Sequence, residues 1–362
     1  MSPENPHARL VEELKTTEPI RTAFAAHPRH HFIPDMVWPG ISGLPLFRSA
    51  APERWTRLVY DNDAVITQAN DGGSGPVNRP SSSSSAPQVM ADMIQAAGVS
   101  PGMRVLEIGT GTGWNAAILS SLVGPTGSVT SVEIDTAVAS HARERLTGTG
   151  VLVTAGAVPP EGMYDAVIAT CAVRRVPEGW TAGLVKDGRI VLPWATYDSR
   201  GPTPIVALSG DTPLSGPFVR DASFMRDRTQ RVPSERFPGV GCESERDGHF
   251  PLGSQELIDR DLLTRLVLAA PGFSIDLGGN PWRGGHATIV ALGTDDSWAY
   301  VWPDGSTTGG GTRDLVEELT QVHALLENAG WPELDEFSLE VDAERGVCRV
   351  RAGALGPWKH SV

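Results

Sequence analysis

The spacing of apolar residues predicts helices near the amino terminus and again before residue 100. Apolar side chains recur at helical spacing at Leu10, Val11, Leu14, Ile20 and Phe24. They would share one face of one or two helices between residues 9 and 26. A second stripe spans residues 89–97 and is followed by Gly98. Glycine readily adopts the left-handed conformation that ends a helix, so this helix is expected to stop there.

Short apolar runs alternate with helical patterns in the middle of the chain. The runs predict five buried strands, at residues 104–108, 128–133, 151–154, 166–169 and 189–192. Helical patterns follow the first two strands, at residues 115–122 and 137–146. Strands and helices that alternate at this spacing indicate a parallel sheet with helices on both faces. The sequence therefore predicts a doubly wound α/β fold.

This alternation stops after about residue 196. One amphipathic helix at residues 315–326 and one hairpin at residues 337–352 stand out beyond it. They predict a separate α+β region without internal repeats. Residues 38–80 are rich in Gly, Pro, Ser and Asn, which predicts an irregular but ordered cap with short strands.

These patterns divide the chain into three parts. We predict a helical cap at residues 1–80, a core at residues 81–200 and a smaller α+β extension at residues 201–362. The cap and the core would together form one catalytic domain.

Charge and composition exclude several classes of partner. The chain of 362 residues carries 43 acidic and 30 basic side chains, a net charge of −13. An acidic chain repels a phosphate backbone, and no basic amphipathic stretch would bind an anionic membrane. We therefore expect neither a nucleic acid nor a membrane as partner. Because there is no signal-peptide pattern and no apolar run of about 18 residues, we expect a cytoplasmic protein.

The cysteines argue against disulfide and metal chemistry. The three cysteines, Cys171, Cys242 and Cys348, are scattered and odd in number. Paired spacing typical of a disulfide framework or a zinc site is missing, so we expect no metal.

A glycine-rich turn between the first core strand and its helix suggests a ligand site. In RVLEIGTGTGWNAA the glycines are Gly109, Gly111 and Gly113. Glycine lets the backbone approach a ligand closely, but the G-x-G-x-G spacing differs from that of pyrophosphate-binding turns. A nucleoside without phosphate, such as S-adenosylmethionine, fits this pattern. Glu107 could orient its ammonium group, and Glu133, at the end of the second strand, could accept its ribose hydroxyls. The alternative is an ordinary tight turn with a surface acid.

Three segments together resemble a known family. LVEELKTTEPIRTAFAAHPRHHFIPD, SAPQVMADMI and VLEIGTGTGWNAAIL occur in the order found in protein-L-isoaspartate O-methyltransferases. The resemblance covers about the first half of the chain, to about Pro193. It implies a Rossmann-like S-adenosylmethionine-dependent methyltransferase fold, with S-adenosylhomocysteine as product. It also implies that the helix end with Arg29, His30 and His31 braces the cap, the alternative being a catalytic role. The cofactor-binding residues expected from the turn and the resemblance are Glu107, Gly109, Thr110, Gly111, Gly113, Asn115, Glu133, Ile134 and Ala157.

The resemblance also assigns a role to the run of five serines, residues 81–85. In the family a serine of a Thr-Ile-Ser-Ala-Pro-like motif lies between cofactor and substrate carboxylate, and it falls on Ser85. We expect Ser85 to fix this carboxylate by a hydrogen bond, with help from Ser84. A carboxyl group with a pKa near 4 is ionised at neutral pH, so no general base is needed. This makes the serine run an active-site loop; the alternative is a disordered linker.

Two departures from the family bear on the substrate. Ala155-Gly156-Ala157 replaces a Gly-Asp-Gly segment whose aspartate lies near the adenine amine. The cap segment YDNDAVITQANDGGSGPVNRPSSSSSAP and the extension segments FVRDASFMRDRTQR and GTDDSWAYVWPDG are the second departure. They resemble the methyltransferases associated with lanthipeptides and graspetides. Those methylate an aspartate in a ribosomally made, modified precursor peptide, and the ester closes to an aspartimide that persists or opens to isoaspartate. The resemblance thus implies such a peptide as partner and gives the extension a role in peptide recognition.

Two other functions remain open at this point. General repair of isoaspartyl damage is one, and a scaffold subunit that has lost the cofactor is the other. The identity of the peptide and the oligomeric state are not determined by the sequence.

Overall fold

The computed structural model describes residues 5–40, 44–75, 79–196, 201–210, 213–231, 243–279 and 288–361. Contacts divide the chain into two units. One unit comprises Met1–Cys171 and Glu178–Leu192, and the other comprises Ala172–Pro177 and Pro193–Val362. Cap and core therefore share one unit. The second unit begins at Pro193, a few residues before the boundary expected from the sequence, and includes one short segment from the end of the core.

The cap contains more helix than its composition suggests. Its helices and strands are α1 (Pro6–Glu13), α2 (Glu18–Ala26), β1 (Met36–Val37), β2 (Leu46–Phe47), α3 (Pro52–Tyr60), β3 (Val65–Ala69) and β4 (Pro80–Ser84). The amino-terminal pattern forms two helices, as predicted. Helix α3 was missed, because its pattern is short and lies among turn-forming residues. Its buried Trp55 and Val59 pack with Leu10 and Val37, and this packing stabilises the helix.

The serine run is a strand, which corrects both sequence-based interpretations of it. Strand β4 pairs antiparallel with β3, with Val65 opposite Ser84 and Ile66 opposite Ser83. Four of the five serines therefore belong to a hairpin, and only Ser85 lies in the short irregular segment before the next helix. Backbone hydrogen bonds to β3 supply the order that the composition does not reveal.

The core follows the predicted order of elements. They are α4 (Pro87–Ala97), β5 (Arg104–Ile108), α5 (Trp114–Val123), β6 (Ser128–Glu133), α6 (Thr136–Arg145), β7 (Leu152–Ala155), β8 (Tyr164–Ala169), α7 (Glu178–Ala182) and β9 (Leu184–Pro193). Gly98 ends α4 in the left-handed conformation, with φ of +66°, as predicted. Helix α7 was not predicted.

The core strands form a parallel sheet in the order β7-β6-β5-β8-β9. Strands β6 and β8 flank β5 on opposite sides, so the strand order reverses beside β5. In open α/β sheets, ligands bind at the carboxyl ends of the strands where the order reverses. The glycine turn after β5 lies at this position, which agrees with the predicted doubly wound fold.

The second unit is an α+β region, as predicted, but it contains more strands and helices than the sequence pattern indicated. Its elements are β10 (Ile205–Ser209), β11 (Leu214–Arg220), β12 (Arg246–His249), α8 (Ser254–Leu257), α9 (Arg260–Ala269), β13 (Ser274–Gly279), β14 (Thr288–Gly293), β15 (Ser297–Val301), β16 (Ser306–Gly311), α10 (Leu315–Asn328), β17 (Phe337–Asp342), β18 (Val347–Ala352) and β19 (Leu355–Ser361). The predicted helix is α10, and the predicted hairpin is β17–β18.

Strands β10, β11, β17, β18 and β19 pair antiparallel in that order. A second antiparallel sheet has the order β12-β16-β15-β14-β13. The sequence did not predict this second sheet, because strands such as STTGGG in β16 carry no alternating apolar pattern.

Within the described ranges, no helix has both the length and the apolar character needed to cross a membrane. The same ranges contain no group of three or more His, Cys, Asp and Glu side chains placed to hold a metal ion. Cys242 lies outside the described residues.

Candidate active site

The turn between β5 and α5 requires glycine at two points. Gly109 has a φ of +92°, and a Cβ atom on it would lie 2.7 Å from the Thr170 side-chain oxygen. Gly113 has a φ of +84°, and a Cβ atom there would lie 3.1 Å from a Leu146 methyl carbon. Both the backbone conformation and the close packing therefore exclude larger residues. At these two glycines the turn therefore presents backbone, without side chains, at the carboxyl edge of the sheet.

Glu107, the residue before the last of β5, is completely buried. One of its carboxylate oxygens accepts a hydrogen bond from the Asn115 amide at 2.8 Å, and the other accepts from the Ser131 hydroxyl. Thr110 lies 2.6 Å from that hydroxyl and donates to it, because the Ser131 proton is already used. Burial raises the pKa of Glu107 to about 7, although the hydrogen bonds from Ser131 and Asn115 oppose the shift. The carboxyl group thus titrates near neutral pH.

Asn115, at the start of α5, points to a ligand. The side chain is 7% exposed, and its Nδ2 group is occupied by Glu107. Its Oδ1 atom is buried and has no hydrogen-bond partner among the described residues. An unpaired buried acceptor costs about 1–3 kcal/mol, so a donor is expected to fill this place. The ammonium group of S-adenosylmethionine is such a donor, and Glu107 behind Asn115 supplies a negative charge that favours a cation.

Glu133 ends β6 on the other side of the turn. Its carboxylate accepts hydrogen bonds from the backbone amides of Gly111, at 2.8 Å, and Asp135, at 3.0 Å. The side chain is 7% exposed, and the two bonds fix both oxygens at the carboxyl edge of the sheet. Each carboxylate oxygen can accept a further bond, so this acid can receive the ribose hydroxyls expected from the sequence.

The serines and the glycine turn line one cavity. Its walls are formed by Ser83, Ser84, Ser85, Met90, Gly109, Thr110, Thr112, Trp114, Asn115 and Thr170. Ser84 is 3% exposed and Ser85 is half-buried. The hairpin and the turn also approach each other directly, since a Cβ atom on Gly111 would lie 3.2 Å from the Ser83 carbonyl oxygen. The structure therefore brings the predicted Ser84, Ser85, Gly109, Thr110 and Asn115 together.

The other predicted residues lie around this cavity rather than in its wall. Glu107 is buried behind Asn115. Ile134 is 36% exposed, and Ala157 is exposed at the end of the segment after β7. The backbone amide of Gly156 donates to the Glu133 carbonyl at 2.9 Å, so Ala155-Gly156-Ala157 borders the predicted ribose position. The cofactor roles of Ile134 and Ala157 remain predictions.

Sequence reasoning missed Thr170, Thr112 and Trp114. Thr170 follows β8, and its hydroxyl donates to the Gly109 carbonyl at 2.6 Å. Because parallel strands end at one edge of the sheet, the position after β8 was itself a usable signal. Thr112 lies within the glycine turn, which made it a second available candidate. Trp114 gave no such signal, since its apolar side chain suits the core equally well.

Comparisons with known proteins point to one family. The family model for protein-L-isoaspartate(D-aspartate) O-methyltransferase matches residues 49–203. The protein-L-isoaspartate O-methyltransferase of Pyrococcus horikoshii is 35% identical over 201 residues, which cover 52% of this chain and 77% of that protein. The Thermotoga maritima protein of the same name is 35% identical over 223 residues. That match covers 60% of this chain and 63% of the relative.

The chain also resembles a solved structure in fold. A protein-L-isoaspartate O-methyltransferase aligns with 96% of this chain and 99% of its own, with a TM-score of 0.53 and 20% identity. The carboxyl-terminal fold is therefore shared with a protein of that name. The sequence matches, above all the one that covers 77% of the Pyrococcus horikoshii protein at 35% identity, show that the chain belongs to the protein-L-isoaspartate O-methyltransferase family.

Proposed function

We propose that the chain is an S-adenosylmethionine-dependent carboxyl O-methyltransferase that acts on aspartyl-type carboxylates in proteins or peptides. One observation supports this above the others: Ser84, Ser85 and the unpaired Asn115 acceptor share a cavity with the glycine turn. Family membership supports the same reaction type.

The residues around the turn suit the cofactor. When bound, S-adenosylmethionine supplies an electrophilic methyl group on a positively charged sulfur. Asn115 would accept from the ammonium group with Glu107 behind it, and Glu133 would accept from the ribose. Ile134 and Ala157 would border the adenine. No carboxylate occurs in Ala155-Gly156-Ala157, so the adenine amine would need another acceptor than the family's aspartate.

On the acceptor side, the serines would position the substrate carboxylate rather than activate it. An ionised carboxylate is already nucleophilic, so no base has to remove a proton. Ser85 would donate a hydrogen bond that aligns one carboxylate oxygen with the methyl group. Positioning of this kind supplies about 7–11 kcal/mol of a reaction barrier.

For the substrate, we propose an aspartate in a modified, ribosomally made peptide. The cap and extension sequences described above support this choice. A methyl ester has a far better leaving group than a carboxylate. The neighbouring amide nitrogen therefore attacks the ester carbonyl carbon, and the imide closes as the C–O bond breaks and methanol leaves with the amide proton, without further catalysis. The names of the relatives favour the rival function, repair of isoaspartyl residues. The second unit does not separate the two, since its fold also occurs in a protein named for isoaspartate.

A methylation assay tests the activity and decides between the substrates. The chain is incubated with labelled S-adenosylmethionine and either an isoaspartyl hexapeptide or a thioether- or ester-bridged macrocyclic peptide that contains aspartate. Faster labelling of the macrocycle is expected; faster labelling of the hexapeptide would establish repair. Ser85→Ala is expected to lose at least about 100-fold in turnover and to keep its affinity for S-adenosylhomocysteine. Turnover equal to that of the unchanged chain would remove Ser85 from its role.

A further inference from the structure

Arg29 is a fully buried arginine at the junction of the cap and the serine hairpin. It begins the short helical turn Arg29–His31 and has no exposed surface. Its guanidinium group donates to the carbonyl oxygens of Val59, Asp61, Asp63, Ser84 and Ser85, at 2.8–3.2 Å. Its Nε group donates to the Ser84 hydroxyl oxygen at 3.2 Å. The guanidinium also lies 5.1 Å from the Trp114 ring, in the wall of the cavity.

All of these hydrogen-bond acceptors are neutral. Asp61 and Asp63 bind Arg29 through their carbonyl oxygens, and both residues are exposed to solvent. Among the described residues no carboxylate lies within 4.0 Å of the guanidinium, which is the limit for an ion pair. Burial lowers the pKa of Arg29 to about 9, with Asp63 and Asp61 opposing the shift, so the group is charged at neutral pH. Buried charges in proteins are ordinarily paired with an opposite charge. Among the described residues the charge of Arg29 has no ion-pair partner, and the exposed Asp61 and Asp63 attract it only from beyond ion-pair distance.

Ser84 connects this charge to the cavity. Because Arg29 Nε donates to the Ser84 oxygen, the hydroxyl proton of Ser84 does not point to Arg29 and can be donated elsewhere. Ser84 lines the same cavity as Ser85 and Asn115. A hydroxyl that accepts from a cation becomes a stronger donor, because hydrogen bonds in a chain polarise one another. An anionic acceptor in this cavity would therefore meet both a strong donor and a buried positive charge that forms no ion pair among the described residues.

We propose that Arg29 is a positioning residue that, through Ser84, makes the acceptor site select an anionic carboxylate over a neutral group. The inference rests on the proposed carboxyl methylation. The substrate carboxylate would accept from Ser84 and add a buried negative charge to the exposed ones of Asp61 and Asp63. The bonds from Arg29 to the Ser84 and Ser85 carbonyls also fix the backbone that carries the Ser85 hydroxyl.

The test compares the affinities of a carboxylate peptide and its neutral amide. The probes are the isoaspartyl hexapeptide and its isoasparaginyl analogue, or the corresponding macrocycles if only the macrocycle accepts methyl. Dissociation constants are measured by calorimetry with saturating S-adenosylhomocysteine. The unchanged chain is expected to prefer the carboxylate about tenfold or more, and Ser84→Ala is expected to abolish most of this preference.

Ser82→Ala is the matched control. Ser82 lies on the same strand and is nearly as buried, at 8% exposure, but its hydroxyl contacts Thr67 rather than Arg29. The Ser82→Ala variant should prefer the carboxylate peptide over the amide as strongly as the unchanged chain does. Arg29→Lys, which keeps a charge but not the fork of donors, should lose preference while its affinity for S-adenosylhomocysteine persists. Since Arg29 variants can fail to fold, Ser84→Ala carries the test by itself.

The outcomes separate the two proposals. Equal preference in Ser84→Ala and Ser82→Ala would overturn the role of Arg29, as would an unchanged chain that transfers methyl but binds the amide equally well. An unchanged chain that methylates neither peptide would overturn the proposed function, and this inference with it.

Discussion

At the scale of single residues, Glu107 combines complete burial with an ionisable group. Burial raises its pKa from an ordinary 4.5 to about 7, so the folded chain holds this proton more tightly than the unfolded chain does. The stability gained in this way is fully present below about pH 4.5 and is lost as the pH rises through 7. A cation bound at Asn115 would have the opposite effect, because it favours the ionised form of Glu107.

This predicts a pH-dependent affinity for S-adenosylhomocysteine. Its ammonium group stays charged between pH 5.5 and 8, whereas Glu107 becomes ionised over this range, so the affinity should rise about tenfold or more. Glu107→Gln should bind with little change over the same range. Titration calorimetry at pH 5.5 and at pH 8 measures the affinities of the unchanged chain and of the variant. An equal rise in the variant would show that another group is responsible.

At the scale of elements, the site depends on two turns and one hairpin held by tertiary contacts. The glycine turn follows β5 and packs against Thr170, which follows β8. This close packing is possible only because Gly109 has no side chain. The β3–β4 hairpin closes over the same turn with the serines. The ends of separate elements therefore form the site, as is usual for an open parallel sheet.

Gly109→Ala is expected to destabilise the chain by roughly 1–3 kcal/mol and to weaken cofactor binding. The added Cβ atom would lie 2.7 Å from the Thr170 side-chain oxygen at a φ of +92°. Gly148→Ala is the control, because its φ of +84° imposes similar backbone strain with no atom within 4 Å of the new Cβ. It should lose stability but not affinity. Urea unfolding and calorimetry measure the two quantities, and Thr170→Ala added to Gly109→Ala should recover part of the loss. Equal affinity losses in Gly109→Ala and Gly148→Ala would contradict the steric argument.

At the scale of the whole molecule, the two units differ in whether their residues point to a ligand site. The first unit carries the complete candidate site. The second has the fold of a solved relative, yet no cluster of its described residues identifies a ligand. Its role in peptide recognition remains a prediction.

Cofactor binding to the whole chain predicts a measurable stabilisation. A ligand present at 100 times its dissociation constant, and bound only by the folded state, stabilises a protein by about 2.7 kcal/mol. S-adenosylhomocysteine should therefore raise the melting temperature in differential scanning calorimetry. Adenosine, which lacks the homocysteine portion, is the matched control and should stabilise less, because it has no ammonium group to donate to Asn115. No shift with S-adenosylhomocysteine at high concentration would support the scaffold alternative.

The sequence alone determined the core strands, the helix end at Gly98 and the residues of the glycine turn. These features depend on local patterns of burial and on the conformational freedom of glycine, which can be read along the chain. The tertiary structure decided the rest. It turned the serine run into a strand, placed Arg29 against Ser84 across 55 positions of sequence, and left one acceptor of Asn115 unpaired. No local pattern encodes these contacts, because each depends on packing between segments that are far apart in the chain.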